Sequence, residues 1–112
     1  GLLMCLHELH TLAATDLPVT VVVFRNHDYA IISEEASRSY GLSEGAYGWG
    51  DAPIDFVALA RSMGLDSTRA DDAASLEAVL SESRTTDEPM LIEVPTDPAE
   101  PQASEWMRRE TE

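Results

Sequence analysis

The sequence predicts an α/β fold, a parallel sheet covered by helices on both faces. Three patterns carry that prediction. Val19-Thr20-Val21-Val22-Val23-Phe24 and Met90-Leu91-Ile92-Glu93-Val94 are apolar runs of strand length. Near-continuous runs of this kind mark strands buried on both faces of a parallel sheet. Between them, apolar residues recur at helical spacing. The two patterns also alternate along the chain, as crossover connections between parallel strands require.

The elements follow in order. Leu2, Leu6, Leu9 and Ala13 share one helical face, so residues 2–14 read as an amphipathic helix. Asp16-Leu17-Pro18 ends it, because proline disfavours helix at the residue before it. Residues 19–24 form the first strand. A second helix runs from Tyr29 to Tyr40, with Gly41 at its C′ position. Gly41, Gly45, Gly48, Gly50 and Pro53 then punctuate a loop that carries Tyr47 and Trp49. Loops this long in compact domains usually serve a function. Asp55 caps a helix with Phe56, Leu59, Ala60 and Met63, closed by Gly64. A short, weak strand fits residues 65–69. Asp71 or Asp72 caps a further helix with Leu76, Val79, Leu80 and Ser83 on one side. Glu88-Pro89 leads into the last strand, 90–94. Residues 99–112 form a tail around Pro101 and Trp106, expected to wrap the surface or dock on a partner. A βαβ unit would place a strand immediately before Gly1, so the chain is expected to begin in mid-motif.

Composition narrows the function. The 112 residues suit one domain or part of one. No apolar run approaches the roughly 20 residues of a membrane span, and no basic stretch resembles a signal peptide. Net charge is −14, with 21 acidic residues against seven basic ones, all of them Arg. Such a surface repels nucleic acid and anionic lipid over a Debye length of about 8 Å. Dispersed acidity without any Lys points to a protein adapted to high salt, the alternative being an ordinary acidic cytoplasmic protein. Cys5 is the only cysteine. It predicts a reducing, cytoplasmic setting and, among Leu3, Met4 and Leu6, a buried, inert thiol.

The candidate site is Asn26-His27-Asp28, directly after the first strand. Ligands of open α/β sheets bind at the carboxyl ends of the strands. An amide oxygen and loop carbonyls suit a hard cation. The same residues also suit a plain strand-end turn, and the local pattern leaves both readings open. His7 and His10 lie three apart on a helix with no third ligand at a fitting interval, which favours a surface or packed pair over a metal site. Glu8 reads as a helix-surface or interface residue.

Gly1-Leu2-Leu3-Met4 with Leu6-His7-Glu8-Leu9, the run from Leu17 to Asn26, Gly50-Asp51-Ala52-Pro53-Ile54-Asp55-Phe56 through Ala60, and Pro89-Met90-Leu91-Ile92-Glu93-Val94-Pro95 together carry a resemblance. They resemble the C-terminal part of the thiamine-diphosphate-binding domain of thiamine-diphosphate-dependent 2-oxoacid enzymes, in the branch of benzoylformate decarboxylase and acetolactate synthase. The resemblance covers residues 1–98 and implies a partial thiamine-diphosphate-binding fold. The family motif runs from Gly-Asp-Gly to Asn-Asn and holds thiamine diphosphate with Mg²⁺. Its second Asn falls on Asn26, and its metal-binding carbonyl falls on Asp28. Gly1 and Tyr29 fall where the backbone meets the diphosphate. No residue of this chain matches a catalytic acid or base. Ile32 and Glu35 resemble positions that face the substrate pocket.

Two departures stand out. Arg25 replaces the first Asn, and the motif's Asp would lie two positions before Gly1. The resemblance implies cofactor anchoring in a 2-oxoacid decarboxylase or carboligase. It also implies a small 2-oxoacid substrate and a homodimer or tetramer, or a second chain that carries the rest of the enzyme. The alternative is a non-catalytic interaction or structural subunit that kept the fold without the metal-binding Asp.

Overall fold

The computed structural model describes residues 1–43 and 45–98. Their elements are a 3₁₀ turn, Leu2–Cys5, then α1 (Glu8–Thr15), β1 (Thr20–Arg25), α2 (Ala30–Tyr40), α3 (Phe56–Ser62), β2 (Asp66–Arg69), α4 (Ala73–Ser83) and β3 (Met90–Pro95). The predicted tail, 99–112, lies outside the described residues. Contacts divide the chain into two compact units. Gly1–Arg25 with Ile54–Pro95 makes the first, and the second is built on Asn26–Pro53.

The first unit holds the sheet. All three strands are parallel, in the order β1-β3-β2. The chain passes over β3 to reach β2, then returns through α4. Because crossovers are right-handed, this reversal puts α3 and α4 on opposite faces. α3 packs on β2 and β3, and α4 packs on β3. The central strand is the buried one: Leu91, Ile92 and Glu93 are fully enclosed. Around them lie Phe56, Ala60, Leu65 and Ala70. The buried Ser67 hydroxyl donates to the Val57 carbonyl at 2.8 Å, which fastens α3 to β2.

Three expectations need correction. β1 was expected to be buried on both faces. Instead Phe24 is 65% exposed and its neighbours are half-buried. Among the described residues β1 pairs only with β3, and that edge position leaves its apolar run partly uncovered. The first helix is not continuous over 2–14, since Leu2–Cys5 is a separate 3₁₀ turn. The apolar stripe survives the break, with Leu9 buried and Leu2, Leu6, Leu12 and Ala13 half-buried. Cys5, expected to be buried, is exposed because the 3₁₀ turn buries none of its residues.

Caps fall where the residue types demand. Asp55 Oδ1 accepts the Ala58 N–H at 3.0 Å, and Asp72 Oδ1 accepts the Ser75 N–H at 2.7 Å. These backbone bonds are the main reason both carboxyls sit below the usual carboxylate range. The pH consequence follows by linkage. A carboxyl with a lowered folded-state pKa adds stability above its unfolded pKa, and that contribution disappears as pH falls through the folded value. Asp72→Asn keeps a capping oxygen but cannot titrate. It is expected to flatten the acid limb of the stability curve below about pH 4, read as urea midpoints against pH. An unchanged acid limb would remove Asp72 from acid lability.

Candidate functional site

The second unit begins where β1 stops. Asn26 Oδ1 accepts the Asp28 N–H at 3.1 Å, which makes an Asx turn. His27 at its centre adopts φ +57°, an uncommon left-handed conformation for a residue with a side chain. The chain thereby passes from strand to helix within four residues. The Tyr29 carbonyl accepts the N–H groups of Ile32 and Ser33, both at 2.9 Å, and α2 starts there. At its far end Gly41 takes φ +67° and its N–H bonds the Ser37 carbonyl, as expected of a C′ glycine.

The loop 45–49 packs on this turn. Asp28 forms an isolated antiparallel bridge with Gly48, and the Trp49 N–H donates to the His27 carbonyl at 2.8 Å. The Trp49 ring meets His27 edge-on at 5.6 Å and Tyr29 at 6.4 Å. Ser33, only 3% exposed, sits between turn and loop. Its hydroxyl donates to Asp28 Oδ1 at 2.6 Å and accepts the Tyr47 N–H at 3.2 Å.

The turn offers oxygen donors suited to a hard cation. Asn26 Oδ1 carries one hydrogen bond and keeps a second lone pair. No backbone N–H of the described residues is bonded to the Asp28 carbonyl. These two groups fit part of a Mg²⁺ shell. Among the described residues, no cluster of three or more His, Cys, Asp or Glu completes one. The strand-end-turn reading and the cation reading are therefore compatible, because the Asx turn uses one face of the amide oxygen and leaves the other.

Asn26, Asp28 and Tyr29 are thus gathered in one turn, whereas Gly1 belongs to the first unit and its carbonyl accepts the Met4 N–H. Ile32 and Glu35 lie on α2 and line a groove of about 440 Å³ with Ile31, Ala36, Tyr40 and Tyr47. Glu35 is half-exposed and pairs with Arg38. His7 is largely exposed and lies 3.4 Å from Glu8.

Two parts of this arrangement were not expected from sequence. Ser33 gave no signal, since a serine early in a helix is ordinary. Glu93 gave one: a lone carboxylate inside an apolar strand is rare unless paired. In the first unit its Oε1 accepts Arg69 Nε at 2.7 Å and lies 3.4 Å from Arg25 Nε, while Oε2 accepts the Phe56 N–H at 3.0 Å. This contact also shows where Arg25 is directed.

A family model described as thiamine pyrophosphate enzyme, C-terminal TPP binding domain, matches residues 1–94. A probable acetolactate synthase large subunit of Methanococcus aeolicus is 30% identical over 99 residues, 88% of this chain and 16% of that protein. The one from Methanocaldococcus jannaschii is 32% identical over 100 residues, 89% of this chain and 17% of its own length. The acetolactate synthase large subunit of Parasynechococcus marenigrum is 34% identical over 94 residues, 84% and 15% of the two chains. The chain thus spans about a sixth of the length of these curated relatives.

Proposed function

Because the chain belongs to the family of C-terminal TPP-binding domains of thiamine pyrophosphate enzymes, we propose that it anchors thiamine diphosphate and Mg²⁺ for a 2-oxoacid decarboxylase or carboligase of the acetolactate synthase kind. The turn Asn26–Tyr29 carries this reading. It presents an amide oxygen and a carbonyl that no described backbone N–H engages, at the carboxyl end of a parallel strand, where such sheets bind ligands. Asn26 would hold the cation through its side chain and Asp28 through its carbonyl. Gly1 and Tyr29 would contact the diphosphate through their backbone. Bound there, the cofactor supplies the electron sink that loss of CO₂ from a 2-oxoacid needs. The chain's own share is to bind and orient.

The groove beside Ile32 and Glu35 would receive part of a small 2-oxoacid. The rest of the active site would come from a second copy, in a homodimer or tetramer, or from a partner chain. No helix among the described residues is long and apolar enough to cross a membrane. We place the protein in the cytoplasm because its single, exposed Cys5 suits a reducing compartment.

Calorimetric titration with thiamine diphosphate, with and without Mg²⁺, tests the reading. Mg²⁺-dependent binding is the expected result. A folded chain that binds neither would overturn it and favour a structural subunit. The titration belongs in high salt, since net charge −14 without any Lys points to salt adaptation. Thermal stability is expected to rise from low to molar potassium chloride, as screening relieves self-repulsion. A midpoint that does not change with salt would refute the adaptation.

A further inference from the structure

Ser33 does more in the second unit than start a helix. It is buried, and its hydroxyl spends its one donor on Asp28 Oδ1 at 2.6 Å. A bond to a carboxylate is charge-assisted and stronger than a neutral one. The same oxygen accepts the Tyr47 N–H at 3.2 Å. Backbone ties also join turn and loop, the Asp28–Gly48 bridge and the Trp49 N–H on the His27 carbonyl, beside the ring contacts of Trp49 with His27 and Tyr29. Gly48 allows this close approach: a Cβ there would stand 3.0 Å from the Gly45 carbonyl oxygen and 3.8 Å from Asp28 Oδ1. Asp28 is therefore held through its carboxylate by Ser33, and the loop bonds the backbone of its neighbour His27.

We propose that Ser33 is a positioning residue. By gripping the Asp28 carboxylate it fixes the orientation of the Asp28 peptide, whose carbonyl is the cation donor. By accepting the Tyr47 N–H it passes the occupancy of that donor to the loop 45–49. A divalent cation carrying a diphosphate would then tighten the loop, with Trp49 against His27 and Tyr29 as the reporter. This inference rests on the cofactor-anchoring reading.

The test uses the full chain in a Trp106→Phe background, which leaves Trp49 as its one tryptophan. Three variants are compared with it: Ser33→Ala, Asp28→Ala and the double. Three readouts are taken: the Mg²⁺ concentration that half-saturates thiamine diphosphate binding, the Trp49 emission change on binding, and the ligand-free thermal midpoint. Loss of a group that orients a metal ligand typically costs about 10–100-fold in metal affinity. Ser33→Ala is expected to raise the half-saturating Mg²⁺ by about tenfold and to abolish the emission change. The double variant is expected to be no worse than either single one, since both remove the same bond.

A parent chain that binds the cofactor while Ser33→Ala keeps its Mg²⁺ dependence and emission change would overturn the inference alone. A parent that does not bind would overturn the anchoring reading, and the inference with it. Should Ser33→Ala not fold, Asp28→Ala removes the bond from its other end and decides on the same readouts. A purely structural serine would lower the thermal midpoint and leave the Mg²⁺ dependence unchanged.

Discussion

Glu93→Ala is expected to cost about 3–5 kcal/mol of unfolding free energy, the range for breaking a buried ion pair by removing one partner. Glu93 lies in the central strand with no exposed surface. Its carboxylate caps the first N–H of α3 through Phe56 and receives Arg69 from β2, with Arg25 of β1 beside it. Arg69 opposes Glu93 directly in the strand register, and Arg25 lies two residues beyond Val23, its partner on the other side. One side chain therefore ties the carboxyl ends of all three strands to the start of a helix. Its removal takes the carboxylate from two guanidinium groups and an acceptor from the Phe56 N–H. The Arg25 Nε, already buried without a hydrogen bond, would lose its nearest counter-charge. Glu93→Gln keeps an acceptor for Phe56 but loses the charge, and should fall between wild type and Glu93→Ala. Urea unfolding of the three proteins measures this. A Glu93→Ala chain within about 1 kcal/mol of wild type, the scale of an ordinary hydrogen bond, would show that the cluster is not needed to hold the sheet.

The strands, helices and caps were legible because each rests on local chemistry. Asp55 and Asp72 stand where a side-chain oxygen can reach an unbonded N–H, and that needs only sequence spacing. Strand order was not local. An apolar run such as Val19–Phe24 says that a strand can be buried, and the sheet order then puts β1 at an edge, with Phe24 mostly exposed. Cys5 went astray for a related reason. Hydrophobic neighbours signal burial only if the segment turns that face inward, and the 3₁₀ turn does not.

The site was half legible. Asn26-His27-Asp28 stood out because a polar cluster abruptly ends an apolar run. Their Asx turn and the left-handed His27 follow from the same residue types. Ser33, Tyr47 and Trp49 could not be assembled from sequence, because their contacts depend on how the glycine-rich loop returns to the turn. Fourteen positions separate Ser33 from Tyr47, and no periodicity links residues across an irregular loop.

Asn26→Ala is the second change expected to have a large effect. It removes the Asx bond to Asp28 N–H and, on the proposed function, one cation ligand. The two losses act in the same direction. Without the Asx bond the Asp28 peptide can rotate, so its carbonyl also leaves the position a cation would need. Removing a group that only orients a ligand costs about 10–100-fold in metal affinity, and removing a ligand should cost at least as much. On the proposed function Mg²⁺ and thiamine diphosphate are expected to weaken together, since the same turn would hold both. Asn26→Asp separates the two contributions. It preserves the Asx acceptor and adds a negative charge, so it should keep the turn and hold Mg²⁺ at least as well as Asn26→Ala does. Calorimetry on the three proteins at several Mg²⁺ concentrations would resolve the effects. Equal cofactor affinity in wild type and Asn26→Ala would exclude Asn26 from the site and return Asn26-His27-Asp28 to a strand-end turn.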